Sequence, residues 1–363
     1  MSTIIKHEHP IGDKFTWKVE CTARYFACAN TIEELKSILL SKEFTSCTKR
    51  YVLGLGANTL FSSSYYDGFV LQIDLKGLHL VGETDSTMIF EVAAGENWHE
   101  MIRKFVNEYG LGGMENLAYI PGTFGAAAIQ NVAAYGQTFE DVFVELRAID
   151  IVTLESRTFS KLEGAFHYRQ SYFKSRDFRD RYIILSTTVS LKKPSKHQAE
   201  FSYHSNYESL KQELPTDGPY TSRHIFDAVT SLRKKKLPEV TTVGTNGSTF
   251  MNPIISGEKV KELLLKFPRL QYYHVEKMQY ADTATIPLHD GSMYKIAAGH
   301  IFDQLGWRGK VIDGVGTWKN HALVVCNYTA STPKPILDYI KAMQSDFLIA
   351  TGIMIEPEIN IVN

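Results

Sequence analysis

The sequence predicts a mixed fold, α+β or α/β, that is divided into more than one domain. Short apolar runs typical of β-strands alternate along the chain with segments whose apolar residues recur at helical spacing. This alternation is the pattern of mixed folds. A chain of 363 residues is too long for one ordinary hydrophobic core, so two or three domains are expected.

Composition and charge exclude several classes of protein. Hydrophobic residues make up 44% of the chain and charged residues 22%, as in a globular protein that dissolves in water. Lysine and arginine total 39 against 40 acidic residues, so no overall field attracts nucleic acid or an anionic membrane. No apolar segment approaches ~18 residues, so no membrane span is predicted. With no signal peptide and no metal spacing among the cysteines, a cytoplasmic protein with reduced thiols is expected.

Local signals place the helices and strands. Thr31 with Glu34 three residues later is a capping box, so a helix is expected to begin at Ile32. Asn97 caps a second helix, which Gly110 closes. Further helices are predicted near residues 223–236, 258–266, 297–305 and 336–349, with a polar, tyrosine-rich loop at 271–283. Strands are predicted near residues 51–55, 69–73, 88–93, 142–149, 182–191 and 353–362, the last interrupted at 356–358.

Two loops are rich in small residues. The segment from Gly122 to Ala128 leads into Gln130 and Asn131, and its backbone N–H groups are suited to hold phosphate oxygens. The alternative is a tightly packed turn between core elements. The loop at residues 54–59 resembles the start of a dinucleotide fingerprint, but it lacks the third glycine and the helix that a Rossmann site needs. A different kind of phosphate loop is favoured, with the two loops holding the two ends of one pyrophosphate.

Two basic residues are candidates for binding an anion. Arg169 follows Tyr168 and offers a planar fork to a carboxylate or phosphate, although it could equally be a surface arginine stacked on that ring. Lys236 ends a predicted helix just before Pro238. It could face an anionic ligand, or it could simply interact with the helix dipole.

A serine and a pair of carboxylates are candidates for proton transfer. Ser248 lies on a glycine turn, where a polarised hydroxyl can donate a proton and an unpolarised one merely caps its own turn. It does not lie in the Gly-x-Ser-x-Gly motif of hydrolases. Glu356 and Glu358 share a face if the last strand alternates, pointing either into a cleft or into solvent. No metal site is predicted, because no histidines or cysteines have ligand spacing.

The order and spacing of these motifs resemble the UDP-N-acetylenolpyruvoylglucosamine reductase family of bacterial cell-wall enzymes. The resemblance extends from about Leu53 to the C-terminus. The matching segments are residues 53–61, 93–98, 115–136, 166–174, 236–238, 247–253 and 355–358.

The resemblance implies an α+β fold: a two-part FAD-binding module of the PCMH/vanillyl-alcohol-oxidase type, followed by a C-terminal α/β substrate-binding domain. We place the module at residues 1–196, with subdomains at about 1–75 and 76–196, and the second domain at 197–363. FAD would be bound non-covalently, with NADPH as the hydride donor. The residues expected to bind the cofactor are Gly54, Gly56, Ala57, Asn58, Thr59, Ile120, Pro121, Gly122, Gly125, Ala126, Gln130 and Asn131.

The implied substrate is the enolpyruvyl ether of UDP-N-acetylglucosamine. Lys236 would meet its diphosphate, and Tyr203 would be the mobile tyrosine of the longer-chain subtype. The residues expected to bind the substrate are Tyr135, Tyr168, Tyr203, Lys236, Asn252 and Tyr273.

Three residues are expected to carry the chemistry. Arg169 would stabilise, through its own charge, the negative charge that develops toward the substrate carboxylate. Glu358, if protonated, would stabilise the same charge by hydrogen bonding. Ser248 would then donate a proton to the adjacent carbon. The rival interpretations are another flavin oxidase or dehydrogenase of this fold, and a non-catalytic flavoprotein that binds nucleotide sugars. A monomer is expected, with no partner beyond these small molecules.

Overall fold

The computed structural model describes residues 4–200, 204–205, 208–215, 217–275 and 293–363. In the first half of the chain the strands are β1 (Lys6–Pro10), β2 (Thr22–Ala29), β3 (Arg50–Leu53), β4 (Thr59–Phe61), β5 (Tyr65–Ile73), β6 (Leu78–Glu83), β7 (Thr87–Ala93), β8 (Ala133–Ala134), β9 (Gln137–Thr138), β10 (Phe143–Asp150), β11 (Ser156–Ser160) and β12 (Tyr182–Lys192). The helices are α1 (Ile32–Leu40), α2 (Lys42–Ser46), α3 (Trp98–Asn107), α4 (Phe124–Ile129), α5 (Lys161–Gly164) and α6 (Arg176–Arg179).

The second half has longer helices and smaller sheets. Its strands are β13 (His204–Ser205), β14 (Glu208–Ser209), β15 (Ile254–Ser256), β16 (Tyr272–Val275), β17 (Met293–Ile296), β18 (Val311–Ile312), β19 (Val315–Trp318), β20 (His321–Asn327) and β21 (Asn360–Val362). Its helices are α7 (Ser222–Lys236), α8 (Gly257–Lys266), α9 (Ala298–Gln304) and α10 (Pro333–Thr351). In the described part of the chain, no helix is both long and apolar enough to cross a bilayer.

Two separate sheets organise the first half. One has the strand order β1-β2-β5-β3, with β1 antiparallel to β2 and the other pairs parallel. The other has the order β11-β10-β12-β7-β6 and is antiparallel throughout. Smaller antiparallel sheets, β15-β17-β16 and β18-β19-β20, follow in the second half. The expected two-part module is therefore visible as two sheets of different topology.

Side-chain caps begin the helices where the sequence predicts them. Thr31 Oγ1 accepts a hydrogen bond from the Glu34 N–H at 3.1 Å, and Asn97 Oδ1 accepts one from the Glu100 N–H at 3.0 Å. The other half of the capping box is wrong, because the Glu34 carboxylate accepts from the Asn30 N–H instead. The starts of α1 and α3 are thus confirmed, because caps are contacts between near neighbours in sequence.

Two hydrophobic clusters form the core. The first lies around the antiparallel sheet, α1, α3 and α4, and the buried face of α7 belongs to it through Ile225, Val229 and Leu232. The second joins residues of β2, β3 and β5 in the first sheet to α8, α9 and α10. A domain boundary after residue 196 stays a prediction, although α7, which lies beyond it, packs with the first cluster.

The predicted C-terminal strand is wrong over most of its length. Only Asn360–Val362 form a strand, β21, which pairs in parallel with β4. Residues 353–359 are held by isolated contacts instead, such as the hydrogen bond from the Met251 N–H to the Glu356 carbonyl at 3.0 Å. The loop predicted at 271–283 is also corrected, because Tyr272–Val275 form β16; its residues from 276 onward lie outside the described part.

Candidate active site

Four polar side chains from distant segments meet in one hydrogen-bonded cluster. Glu358 Oε1 accepts from Arg169 Nε at 2.7 Å and from Gln130 Nε2 at 3.1 Å. Asn58 Nδ2 donates to Gln130 Oε1 at 2.7 Å. The structure therefore brings together two of the residues predicted to be catalytic and one from each of the two predicted cofactor loops.

The β21–β4 pairing explains how Glu358 reaches the first loop. The Asn360 N–H donates to the Asn58 carbonyl at 3.0 Å, and Asn58 Nδ2 donates to the Glu358 carbonyl at 3.2 Å. The side chain of Glu358 is 15% exposed and that of Arg169 is 21% exposed. Oε1 of Glu358 accepts the hydrogen bonds from both Arg169 and Gln130. Oε2 is therefore the oxygen better placed to bind a proton or a ligand.

Arg169 lies on a tight turn. The backbones of His167 and Gln170 exchange two hydrogen bonds at 2.9 and 3.1 Å, and Arg169 between them has a φ of 56°. Only a few per cent of non-glycine residues adopt this left-handed conformation, and it persists where the surroundings hold it. Strain of this kind is typical of functional sites, which agrees with the predicted role of the guanidinium.

The Ser248 loop is joined to Glu358 through the neighbouring residue. The Glu358 N–H donates to the Thr249 carbonyl at 2.7 Å, while the Thr249 N–H donates to the Leu323 carbonyl at 2.9 Å. Ser248 is half-buried, and Gly247 before it has a φ of 75° with open space beside it. The predicted serine thus lies one residue from the backbone contact that holds Glu358, on a turn whose conformation requires glycine.

A half-buried lysine that no sequence motif marked, Lys295, lies beside two predicted substrate residues. Lys295 Nζ lies 4.9 Å from the centre of the Tyr168 ring and 5.7 Å from that of Tyr273. Burial lowers the pKa of Lys295, and the nearby charge of Arg169 lowers it further. The sequence feature that could have indicated this site is the single lysine within the short strand Met293–Ile296. Lysine rarely lies inside a protein without a function or a partner.

Burial also raises the pKa of Tyr168, which has Asn252 as a polar neighbour. Asn252 accepts a hydrogen bond at Oδ1 from the Ala298 N–H at 3.0 Å, which ties it to the start of α9. Tyr168 and Asn252, both predicted substrate residues, therefore lie together beside Arg169. Such a pair is suited to orienting a ligand rather than to exchanging protons at neutral pH.

Lys236 approaches the same region from the end of α7. Asn320 Nδ2 donates to the Lys235 carbonyl at 3.2 Å, which holds the end of this helix against the start of β20. His321, the first residue of β20, has its pKa lowered to about 3, by burial first and by the charge of Lys236 second. Lys236 is thus near the strand that pairs with the Ser248 loop.

The glycines of the two loops have different reasons to be glycine. A Cβ on Gly54 would lie 2.7 Å from Thr123 Oγ1, and one on Gly125 would lie 2.7 Å from the Ala94 Cβ, so both permit contacts within the protein. A Cβ on Gly56 would collide with the Lys14 carbonyl. Gly122, in contrast, has a φ of 149° and no atom within 4 Å of an added Cβ. Of these four loop glycines, only Gly122 has open space on the side that a bulky ligand would occupy.

The expected row of free N–H groups is interrupted. The Phe124 N–H donates to the Glu96 carbonyl at 2.9 Å and the Gly125 N–H to the Ala94 carbonyl at 3.0 Å, so neither is available to a phosphate. Pro121 and Ala126 are exposed, while Ala57 and Ile120 are half-buried.

Two other predicted residues, Thr59 and Tyr135, are buried and contact protein groups. Thr59 is buried and shares a hydrogen bond of 2.8 Å with the Tyr51 hydroxyl. Tyr135 is 9% exposed and packs in the first core cluster. Tyr203 lies outside the described residues.

Two families of known proteins match parts of the chain. The FAD binding domain family matches residues 23–153, which include both small-residue loops. The C-terminal domain of UDP-N-acetylenolpyruvoylglucosamine reductase matches residues 239–362, which include Ser248, Lys295 and Glu358. Fold and site together define a flavoprotein with a two-part FAD-binding module and a C-terminal α/β domain, and the predicted fold class is confirmed.

Full-length relatives identify the family. A UDP-N-acetylenolpyruvoylglucosamine reductase of Flavobacterium johnsoniae is 33% identical over 347 residues, 96% of each chain. One from Amoebophilus asiaticus is 35% identical, covering 97% of this chain and 98% of its own. The crystal structure of the Thermus caldophilus enzyme shares the fold over the whole of both chains, with a TM-score of 0.65 at 18% identity. The chain belongs to the UDP-N-acetylenolpyruvoylglucosamine reductase family, as the resemblance implied.

Proposed function

We propose that this protein reduces UDP-N-acetylenolpyruvoylglucosamine to UDP-N-acetylmuramate with NADPH and FAD, a step in the synthesis of peptidoglycan precursors. The observation that carries the proposal is the Arg169–Glu358 pair, which Gln130 links to both predicted cofactor loops. The full-length similarity to reductases of this name supports it. We further propose that the protein acts as a cytoplasmic monomer.

The residues present fit FAD. Gly122 leaves open space beside a backbone that is fixed on both sides, and the exposed Pro121 and Ala126 border it. Bound FAD would accept a hydride from NADPH and return it to the enolpyruvyl group. Gly122 and the residues around it would hold the cofactor. Gly54 lets the first loop pack against Thr123 of the second, while Gly56 and Gly125 let the loops pack against Lys14 and Ala94.

Arg169 and Glu358 act on the charge of the substrate. Hydride addition to the terminal carbon pushes electron density toward the substrate carboxylate, and a guanidinium in a partly buried site stabilises that charge strongly. Glu358 orients the guanidinium through Oε1 and leaves Oε2 to face the ligand. Since the pair is already formed, little reorganisation is needed when the charge develops.

Ser248 supplies the proton for the neighbouring carbon. Its loop is fixed to Glu358 through the backbone of Thr249, the next residue, which supports this role. Proton donation to carbon leaves an alkoxide on Ser248, which solvent returns to the neutral hydroxyl by supplying a proton.

Two lysines are suited to the diphosphate of the substrate. Lys236 approaches from the end of α7, and the half-buried Lys295 lies against the aromatic rings of Tyr168 and Tyr273. Tyr168 and Asn252 would orient the sugar side, and Tyr273, which is 38% exposed, would stack on the uridine. Tyr203 would close over the nucleotide sugar.

One assay tests the proposal against its rivals. Purified holoprotein is mixed with NADPH and enolpyruvyl-UDP-N-acetylglucosamine, and the loss of NADPH absorbance is followed. Consumption that depends on the sugar is expected. Oxidation driven by oxygen without the sugar would indicate another flavin oxidase, and sugar binding without NADPH oxidation would indicate a binding protein; either result would overturn the proposal.

A further inference from the structure

The side chain of Asn131 is occupied by protein groups on both of its polar atoms. Nδ2 donates to the His167 carbonyl at 3.2 Å, and Oδ1 accepts from the Glu140 N–H at 3.1 Å. The residue is 4% exposed and has a φ of 43°. This amide therefore joins the end of the second cofactor loop to the turn that carries Arg169.

A second bond joins the same two segments on the other side of Arg169. Ser171, which is fully buried, donates from Oγ to the Ile129 carbonyl at 2.8 Å. The turn is thus fastened two residues before Arg169 and two residues after it. Between the two fastening points, Gln130 donates to Glu358 Oε1, the atom that also receives the Arg169 hydrogen bond.

Arg169 needs this support for two reasons. Its left-handed φ is strained and persists only where the surroundings hold it. The two hydrogen bonds that close the turn lie within the turn itself, so they cannot fix its position relative to the cofactor loop. Asn131 and Ser171 supply that external attachment.

We propose that Asn131 is a positioning residue for Arg169, its side chain acting on the His167–Gln170 turn and not on the cofactor. Ser171 has the same role from the other side of the turn. The inference rests on the proposed function, because it assigns to Arg169 the stabilisation of charge on the substrate. It implies that residues 129–131 hold both members of the Arg169–Glu358 pair.

Asn131→Asp is the informative variant. Aspartate tolerates the left-handed conformation and keeps the acceptor for the Glu140 N–H, but it loses the donor to the His167 carbonyl. A misplacement of about 1 Å can cost about a hundredfold in rate, so flavin reoxidation by the sugar should slow by roughly 10- to 100-fold. Flavin content and flavin reduction by NADPH should stay within about twofold of wild type, since a positioning residue contributes to neither.

Ser171→Ala removes the second attachment without adding a charge. If Asn131→Asp does not fold, the proposal is tested with Ser171→Ala instead. Each change is also combined with Arg169→Ala in a double-mutant cycle that measures single-turnover flavin reoxidation. If both residues act through Arg169, neither change slows the Arg169→Ala protein further. Effects that simply add would overturn the proposal, as would loss of FAD from Asn131→Asp or Ser171→Ala, which would make the residue a cofactor ligand.

The same measurements distinguish an error in the proposed function from an error in the positioning role. A wild-type protein that never reoxidises its flavin with the sugar removes the proposed function itself. A wild-type protein that is active while Asn131→Asp and Ser171→Ala match it leaves that function in place and removes only the positioning role.

Discussion

Arg169 and Glu358, 189 positions apart in the chain, share a hydrogen bond of 2.7 Å between Nε and Oε1. The pair is partly buried, with 21% and 15% of the two side chains exposed. A charge pair in such a site attracts more strongly than one in water, and its geometry is set before any ligand arrives. The role of Glu358 in this pair can therefore be tested by a mutation of Glu358 alone.

Glu358→Gln removes the carboxyl group that orients the Arg169 guanidinium through Oε1. Flavin reoxidation by the sugar is expected to slow by about 10²- to 10³-fold, the range seen when stabilisation of developing charge by one group is lost. Flavin reduction by NADPH should change far less. Stopped-flow absorbance of the flavin measures both steps. Glu356→Gln is the matched control, because Glu356 is exposed two residues away and should behave as wild type. Equal slowing of both steps would count against the assigned role.

Ser248→Ala is expected to lower turnover by about 10²- to 10⁴-fold, the usual contribution of a positioned proton donor. The reduced flavin should still form at the wild-type rate, because no proton from Ser248 enters that step. Steady-state assays and anaerobic flavin reduction together measure this difference. Thr241→Val removes a hydroxyl from an exposed position of the preceding loop and serves as control. Turnover equal to wild type in Ser248→Ala would show that the proton comes from elsewhere.

Lys295→Met is expected to raise the KM for the sugar by roughly 10- to 100-fold with little change in kcat. A hydrogen bond to a charged group is worth about 1.5–3 kcal/mol, and methionine keeps most of the buried volume. Initial rates at saturating NADPH measure the split. Lys310→Met is the control, since Lys310 also packs on an aromatic ring, Trp307, at 4.0 Å. An unchanged KM would remove Lys295 from the substrate site.

The burial of His321 predicts that the stability of the protein decreases at acidic pH. Burial, with Lys236 and two arginines nearby, lowers the pKa of its imidazole from the ordinary value of 6.5 to about 3 in the folded protein. Between these values the unfolded chain binds a proton that the folded protein does not, so stability falls as the pH falls below 6.5. The contribution of this residue at pH 5.5 is a loss of about 1.4 kcal/mol relative to neutral pH.

Urea unfolding at pH 7.5 and 5.5 checks this value. The free energy of unfolding of His321→Gln should decline less over this interval than that of wild type, because glutamine does not titrate. The difference between the two proteins removes the contribution of the other groups that titrate in this range. Parallel declines would show that His321 is protonated in the folded state.

Several features of the site were predictable because their signals are local. The caps at Thr31 and Asn97 depend on residues three positions away, so α1 and α3 begin where expected. The motifs around Arg169, Ser248 and Glu358 have the order and spacing of the family, which is why their residues were named before any geometry was known.

Other features depend on contacts that no local pattern encodes. Lys295 follows a segment without a recognisable motif, and only its packing against Tyr168 and Tyr273 marks it. The role of each glycine is similarly non-local, since Gly54 is explained by Thr123 and Gly122 by open space. The C-terminal strand is shorter than predicted because residues 353–359 bond to the Ser248 loop and neighbouring segments rather than to a continuous strand.

The sequence by itself determined the family and the helix starts and named the candidate catalytic side chains, because these depend on residue type and short spacing. The tertiary structure alone decided which of those side chains meet. Glu358 reaches Asn58 and Arg169 only because β21 pairs with β4, and Arg169 is held in place from the cofactor loop through Asn131 and Ser171. Such contacts close loops of tens to hundreds of residues, and their geometry is set by the whole packed core rather than by any one segment.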